Sequence, residues 1–198
     1  MPIRRSVTPA VLLAVSLAPP AAAQRPTPPQ SVESATAQTQ TIRDMRTVGT
    51  ALFAWLADQV TTAESNESTY TPDVESGCIS RHKGGACDSA DFDRVPLISH
   101  AELTRLLVPD YIESIPEKDG WGNPYEYRLD RQHVFNTGVL AIRSTGSDGT
   151  FSGHRYESGT FSPLDTVEDL VWMDGFFLRW PERKDAQKTQ EPVKQRFN

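Results

Sequence analysis

Cysteine, histidine and uninterrupted apolar sequence are all scarce in this chain, which has two cysteines, four histidines and three methionines in 198 residues. Two cysteines are too few for a disulfide-dense scaffold or a four-thiolate metal site. The apolar run from Val11 to Leu17 is far below the roughly 20 residues a membrane-spanning helix needs. Positive charge is also in deficit, 20 Lys and Arg against 26 Asp and Glu, so a nucleic-acid backbone is repelled. The histidines, His82, His100, His133 and His154, lie scattered without metal-ligand spacing, and no nucleophile elbow surrounds a serine. Ser144 and Ser147 precede Asp148 closely but lack an identifiable base. Glu168 and Asp169 are neighbours that a strand points to opposite faces. No catalytic residues are expected and no small-molecule substrate is evident, because catalysis needs convergent groups.

The N-terminus sets the compartment. Arg4 and Arg5 precede the apolar run, and Ala21-Ala22-Ala23 supplies the small residues of a signal-peptidase site, so residues 1–23 read as an export signal cleaved after Ala23. A retained membrane anchor is the competing reading. The flanks of Arg4-Arg5 suit an ordinary export signal better than a twin-arginine one. The mature chain is expected in the periplasm or outside the cell, without a membrane span, carrying 18 basic against 26 acidic side chains. In that oxidising compartment Cys78 and Cys87, with eight residues between them, are expected to form a disulfide. Closing so short a loop stabilises by about 2 to 3 kcal/mol in the chain-entropy model. A metal site of Cys78, His82 and Cys87 competes, but no fourth ligand is evident.

Residues 24–33 hold three prolines and read as a flexible linker; residues 34–181 read as one domain, and 182–198 as a charged, disordered tail. Ile42, Met45, Val48, Leu52, Phe53, Trp55, Leu56 and Val60 recur at intervals of three and four, which predicts a long amphipathic helix ending near Thr62. Gly49 lies within its apolar stripe, suggesting close approach of another backbone. Residues 63–94 read as a long polar loop, in which Asn66-Glu67-Ser68 fits a glycosylation pattern. Ser99 and Glu102 form a capping box for a short helix through Leu103, Leu106 and Leu107 that stops at Pro109.

Gly120, Gly122 and Pro124 predict a compact turn at 119–123 that launches a strand over 125–129, and residues 138–144 predict the next. Asp174-Gly175 marks a two-residue hairpin pairing Met173 with Phe176, Val171 with Leu178 and Trp172 with Phe177. The fold class is therefore α+β, a long N-terminal helix packed on a small antiparallel sheet.

These pieces together resemble the soluble domain of the major pseudopilin, protein G, of type II secretion systems. The resemblance spans residues 40–180. It rests on the long helix, on Tyr111-Ile112, Ile115-Pro116 and Asp119-Gly-Trp-Gly-Asn-Pro-Tyr125 with Tyr127, on Ser144-Thr-Gly-Ser-Asp-Gly149, and on Glu168-Asp-Leu-Val-Trp172. It implies a pseudopilin-like head whose partners are proteins of a secretion or pilus-like machine. It also implies calcium as the cofactor, held by the backbone oxygen of Thr145 and the side chains of Asp148, Glu168 and Asp169, with Asp165 a further candidate. Calcium takes six to eight oxygens, so the loop 149–167 must fold back to bring the two acidic turns together. As plain alternatives, Asp148 is a turn-former and Glu168-Asp169 caps a strand. The chain departs from the family in showing no prepilin leader or long apolar helix, so it is expected to act as a head exported alone. Two other functional readings stand: a binding module on the same scaffold, with Trp121, Trp172 and Phe177 as contacts if they are not core, and a hydrolase, which needs a pocket joining a His to a carboxylate.

Overall fold

The computed structural model describes residues 30–65, 77–81 and 87–182. The signal, most of the linker, His82, the glycosylation pattern and nearly all of the tail lie outside the described residues. Helix α1 runs over Gln30–Ser65, starting within the stretch read as linker. It spans about 54 Å at 1.5 Å per residue. Strands β1 (Cys78–Arg81) and β2 (Cys87–Asp91) follow, then β3 (Leu97–Ile98) and helix α2 (His100–Leu107). The remaining strands are β4 (Glu126–Leu129), β5 (Leu140–Ser144), β6 (Arg155–Glu157), β7 (Gly159–Phe161), β8 (Leu170–Met173) and β9 (Phe176–Pro181). Among the described residues the fold is mixed α+β, with strands predominating over helices in number.

Six strands form one sheet in the order β3-β4-β5-β8-β9-β7, and three form a second in the order β1-β2-β6. Every pairing is antiparallel except that of β7 with β9, which is parallel. The larger sheet is thus neither small nor wholly antiparallel. Its central strands β5 and β8 are buried along their whole length, because both faces are covered. Alternation divides their side chains. Leu140, Ile142, Leu170 and Trp172 join Met45, Val48, Leu52 and Trp55 of α1 in one core. Ala141, Val171 and Met173 join Phe92, Val95, Tyr156 and Leu178 in a second core on the opposite face.

Residues 77–81 and 87–91, read from the sequence as loop, instead form a hairpin. Its strands, Cys-Ile-Ser-Arg and Cys-Asp-Ser-Ala-Asp, carry almost no apolar alternation. They are held by pairing with β6 from the 149–167 segment and by the Cys78–Cys87 disulfide, with Cα atoms 5.7 Å apart. The expected disulfide is therefore present. The capping box of α2 forms as expected, with Ser99 and Glu102 each satisfying the other's backbone N–H. Gly49 meets a side chain rather than a backbone: a Cβ there would stand 2.5 Å from Cζ2 of Trp172.

The β8–β9 hairpin turns at Asp174-Gly175, both with positive φ (45° and 96°), as a two-residue turn of this kind requires. Met173 pairs with Phe176 and Trp172 with Phe177, but a bulge then sets Val171 opposite Arg179 instead of Leu178. Asp174 also reaches across to β5, accepting the N–H groups of Gly138, Val139 and Leu140.

Candidate functional site

The turn before β4 is organised by Asp119, which is buried. Its Oδ1 accepts the N–H groups of Trp121 at 3.0 Å and Asn123 at 2.9 Å, while its own N–H donates to the Asn123 carbonyl. Gly122, with φ of 93°, takes a conformation side chains disfavour. Gly120 lies against the α1 backbone at Ala37 and donates to Thr41 Oγ1 at 3.0 Å. The turn is thereby fastened to the long helix. Two further bonds fasten it to the end of β5: Ser144 donates its hydroxyl to Asp119 Oδ2 at 2.6 Å, and Asn123 donates Nδ2–H to the Gly146 carbonyl at 2.7 Å.

The second turn, Thr145 to Gly149, needs left-handed backbone at both Gly146 and Gly149. Gly146 is pressed against the segment before β8, where a Cβ would stand 2.6 Å from the Thr166 carbonyl and 2.8 Å from that of Glu168. Ser147 donates its N–H to the Thr166 carbonyl at 2.7 Å, and the two hydroxyls lie 3.1 Å apart. The 149–167 segment therefore folds back and places the two acidic turns side by side.

Within this arrangement the expected calcium ligands separate. Thr145 and Asp169 flank the last ladder pair, Ser144 with Leu170, and both are buried. Asp169, 1% exposed, accepts through Oδ2 the N–H and hydroxyl of Ser152 and the hydroxyl of Tyr156, at 2.7 to 2.9 Å. Its Oδ1 has no protein partner, and neither has Thr145 Oγ1. Glu168 is turned away to Arg179, 2.5 Å from its Nη2. Asp148 is exposed and accepts the Thr150 N–H, and Asp165 is exposed on the loop. Among the described residues no group of three or more carboxylate, imidazole or thiol side chains is placed to hold a metal. The donor set therefore fits a hard cation in part: one buried carboxylate oxygen and one buried hydroxyl lack partners, and the Thr166 and Glu168 carbonyls lie against Gly146. The other three carboxylates point elsewhere.

Arg143, on β5 two positions before Thr145, ties this region to the second core. It is almost fully buried, binds Glu126 at 3.0 and 2.8 Å, and donates Nη1–H to the Gly153 carbonyl and the Tyr156 hydroxyl. Its guanidinium lies 3.7 Å from the centre of the Phe151 ring. Burial and the bond to Asp169 push the Tyr156 hydroxyl above its ordinary range, so it stays protonated as a donor. Burial alone would raise the Glu126 carboxyl, but hydrogen bonds and charge from Arg143 and Arg128 outweigh it and hold the group below its ordinary range.

His133 Nδ1 lies 2.8 Å from Asp130 Oδ2 at a cavity of about 280 Å³ that also meets Glu102 and Arg131. This joins an imidazole to a carboxylate, a conjunction not visible in the scattered histidines. Among the described residues, none of those lining the cavity brings a hydroxyl or thiol, and Asp130 Oδ1 is engaged with the N–H groups of Gln132 and His133. His100 contacts the Ile115 carbonyl at 2.9 Å, and His154 pairs with Asp93 at 3.2 Å. Of the aromatic residues considered as contacts, Trp172 is 3% exposed and belongs to the core, while Trp121 and Phe177 are half-buried against it.

Sequence reasoning missed Asp119, Asn123, Arg143, Ser144 and Tyr156. Asp119 carried a signal, an aspartate opening a Gly-rich turn, where the side chain accepts from N–H groups two residues on. Arg143 carried none, since an arginine amid an apolar strand reads as outward-facing. Compared with known protein families, with curated proteins and with solved structures, the chain matches none.

Proposed function

We propose that this chain is an exported, calcium-binding interaction domain with a pseudopilin-like head, similar to protein G of type II secretion systems and acting as a structural component of protein secretion. The observation that supports it best is the joining of the two acidic turns, 145–149 and 165–169, by the Ser147 N–H on the Thr166 carbonyl, with two buried oxygens, Thr145 Oγ1 and Asp169 Oδ1, that lack partners. Buried polar groups are ordinarily satisfied, so two unmatched buried oxygens at residues flanking the Ser144–Leu170 pair favour a bound cation. Calcium would be held by Asp169 and Thr145 together with carbonyls of the two turns. Bound there, it supplies the positive charge that two adjoining acidic turns lack. The disulfide agrees with an oxidising compartment. No helix among the described residues is long and apolar enough to cross a membrane.

Disruption of the gene in its host tests the role. The proteins released to the medium should be depleted, and release should return with the wild type but only weakly with Asp169→Asn. An unchanged set of exported proteins would contradict a role in secretion. The second reading, a binding module on this scaffold, gains support from half-buried Phe177, whose ring carries the Arg46 guanidinium at 5.4 Å from its centre.

A further inference from the structure

A groove of about 500 Å³ runs between the first half of α1 and the β9 strand, away from the joined turns. Its walls are Phe176, Phe177, Trp180, Pro163 and Pro181, and Arg46 stands over the Phe177 ring. Phe176 is 54% exposed, an uncommon cost for an aromatic residue that covers nothing. Gln38 lines the groove, is 6% exposed, and has an Nε2 donor without an acceptor in the protein.

We propose that this groove binds an extended, proline-containing segment of a partner protein that bears a carboxylate side chain. An extended polyproline-type segment has carbonyls without internal partners and few N–H groups, which suits a site offering an unmatched donor. Flat aromatic and prolyl surfaces are the packing partners such segments use. Exposed Arg46 and Glu182 both line the groove, and Arg43 lies in the adjoining groove along α1, so two guanidinium groups outweigh one carboxylate and the local charge favours an acidic residue. The guanidinium, already held over Phe177, is partly ordered for a two-pronged carboxylate contact. The same charge disfavours this chain's own ends as occupants, since residues 183–198 carry five basic against two acidic side chains and the proline-rich 24–29 segment carries Arg25 and no acid. The inference requires neither calcium nor a role in secretion.

Titration of the purified chain by nuclear magnetic resonance provides the test, using the synthetic peptide acetyl-Asp-Pro-Pro-Leu-Pro-Pro-amide and a version with Lys in place of Asp. The acidic peptide should shift the Gln38 side-chain amide and the Trp180 indole signals. Arg46→Glu should weaken it about tenfold and invert the preference towards the Lys peptide, while Trp180→Ala should lose both with the fold signals intact. Absence of shifts at millimolar peptide, shifts elsewhere, or equal affinity for the two peptides in the wild type would each overturn the proposal. Concentration-dependent self-association that covers the same residues would assign the groove to a second copy and overturn it too.

Discussion

At the scale of single residues, buried carboxylates set the geometry. Asp119 gathers two backbone N–H groups and the Ser144 hydroxyl, so one side chain fixes both its own turn and the end of β5. Ser144→Ala leaves Asp119 Oδ2 without that donor, and chemical denaturation should report a loss of about 1 to 3 kcal/mol. Glu126 gives a pH prediction. Its folded carboxyl titrates below its unfolded value, so its contribution is present above that value and is lost as pH falls through the folded one. Stability should therefore decline below about pH 4.5. Glu126→Gln should be less stable at neutral pH and show a shallower acid slope. Arg143→Met, which leaves Glu126 with Arg128 alone, should cost about 3 kcal/mol in the same measurement. The expected ligands were legible as residue types, but which carboxylates face inward depended on Tyr156, Ser152 and Arg179, partners 11 to 17 positions away that no local pattern reveals.

At the scale of elements, what the sequence made legible was what local rules govern. The α1 stripe, the Ser99 capping box and the Asp174-Gly175 turn each follow from spacing or backbone conformation within a few residues. The second sheet was not legible. Its strands are short and polar, and they are strands because of the disulfide and the pairing of Ala90 with Tyr156 across a long loop. The bulge that moves Val171 opposite Arg179 was also hidden, since hairpin register was read from the turn alone. Replacing both Cys78 and Cys87 with serine should cost about 2 to 3 kcal/mol, with hydrogen exchange rising first in β1 and β2. Gly49→Ala tests the seam between α1 and the sheet. Alanine favours helix by about 1 kcal/mol, but the new methyl collides with a rigid indole, so a net loss of about 1 to 3 kcal/mol is expected. A stabilised variant would mean that α1 does not lie this close to Trp172.

At the scale of the whole molecule, the larger sheet is a slab covered on one side by α1 and on the other by the disulfide-bonded sheet. The two joined turns lie where the slab, the helix and the folded-back segment meet. Order in 145–169 therefore bears on both cores at once, because Asp169 reaches Tyr156 in one and β8 carries Trp172 into the other. A cation at Asp169 and Thr145 would act on the stability of the entire molecule. The direct measurement is thermal unfolding of the purified protein in calcium and in chelator, for the wild type and Asp169→Asn. The account predicts that calcium raises the wild-type midpoint by several degrees, about the effect of 1 to 3 kcal/mol of linked binding, and leaves the variant unmoved. A wild-type midpoint that is the same in calcium and in chelator would contradict the calcium site.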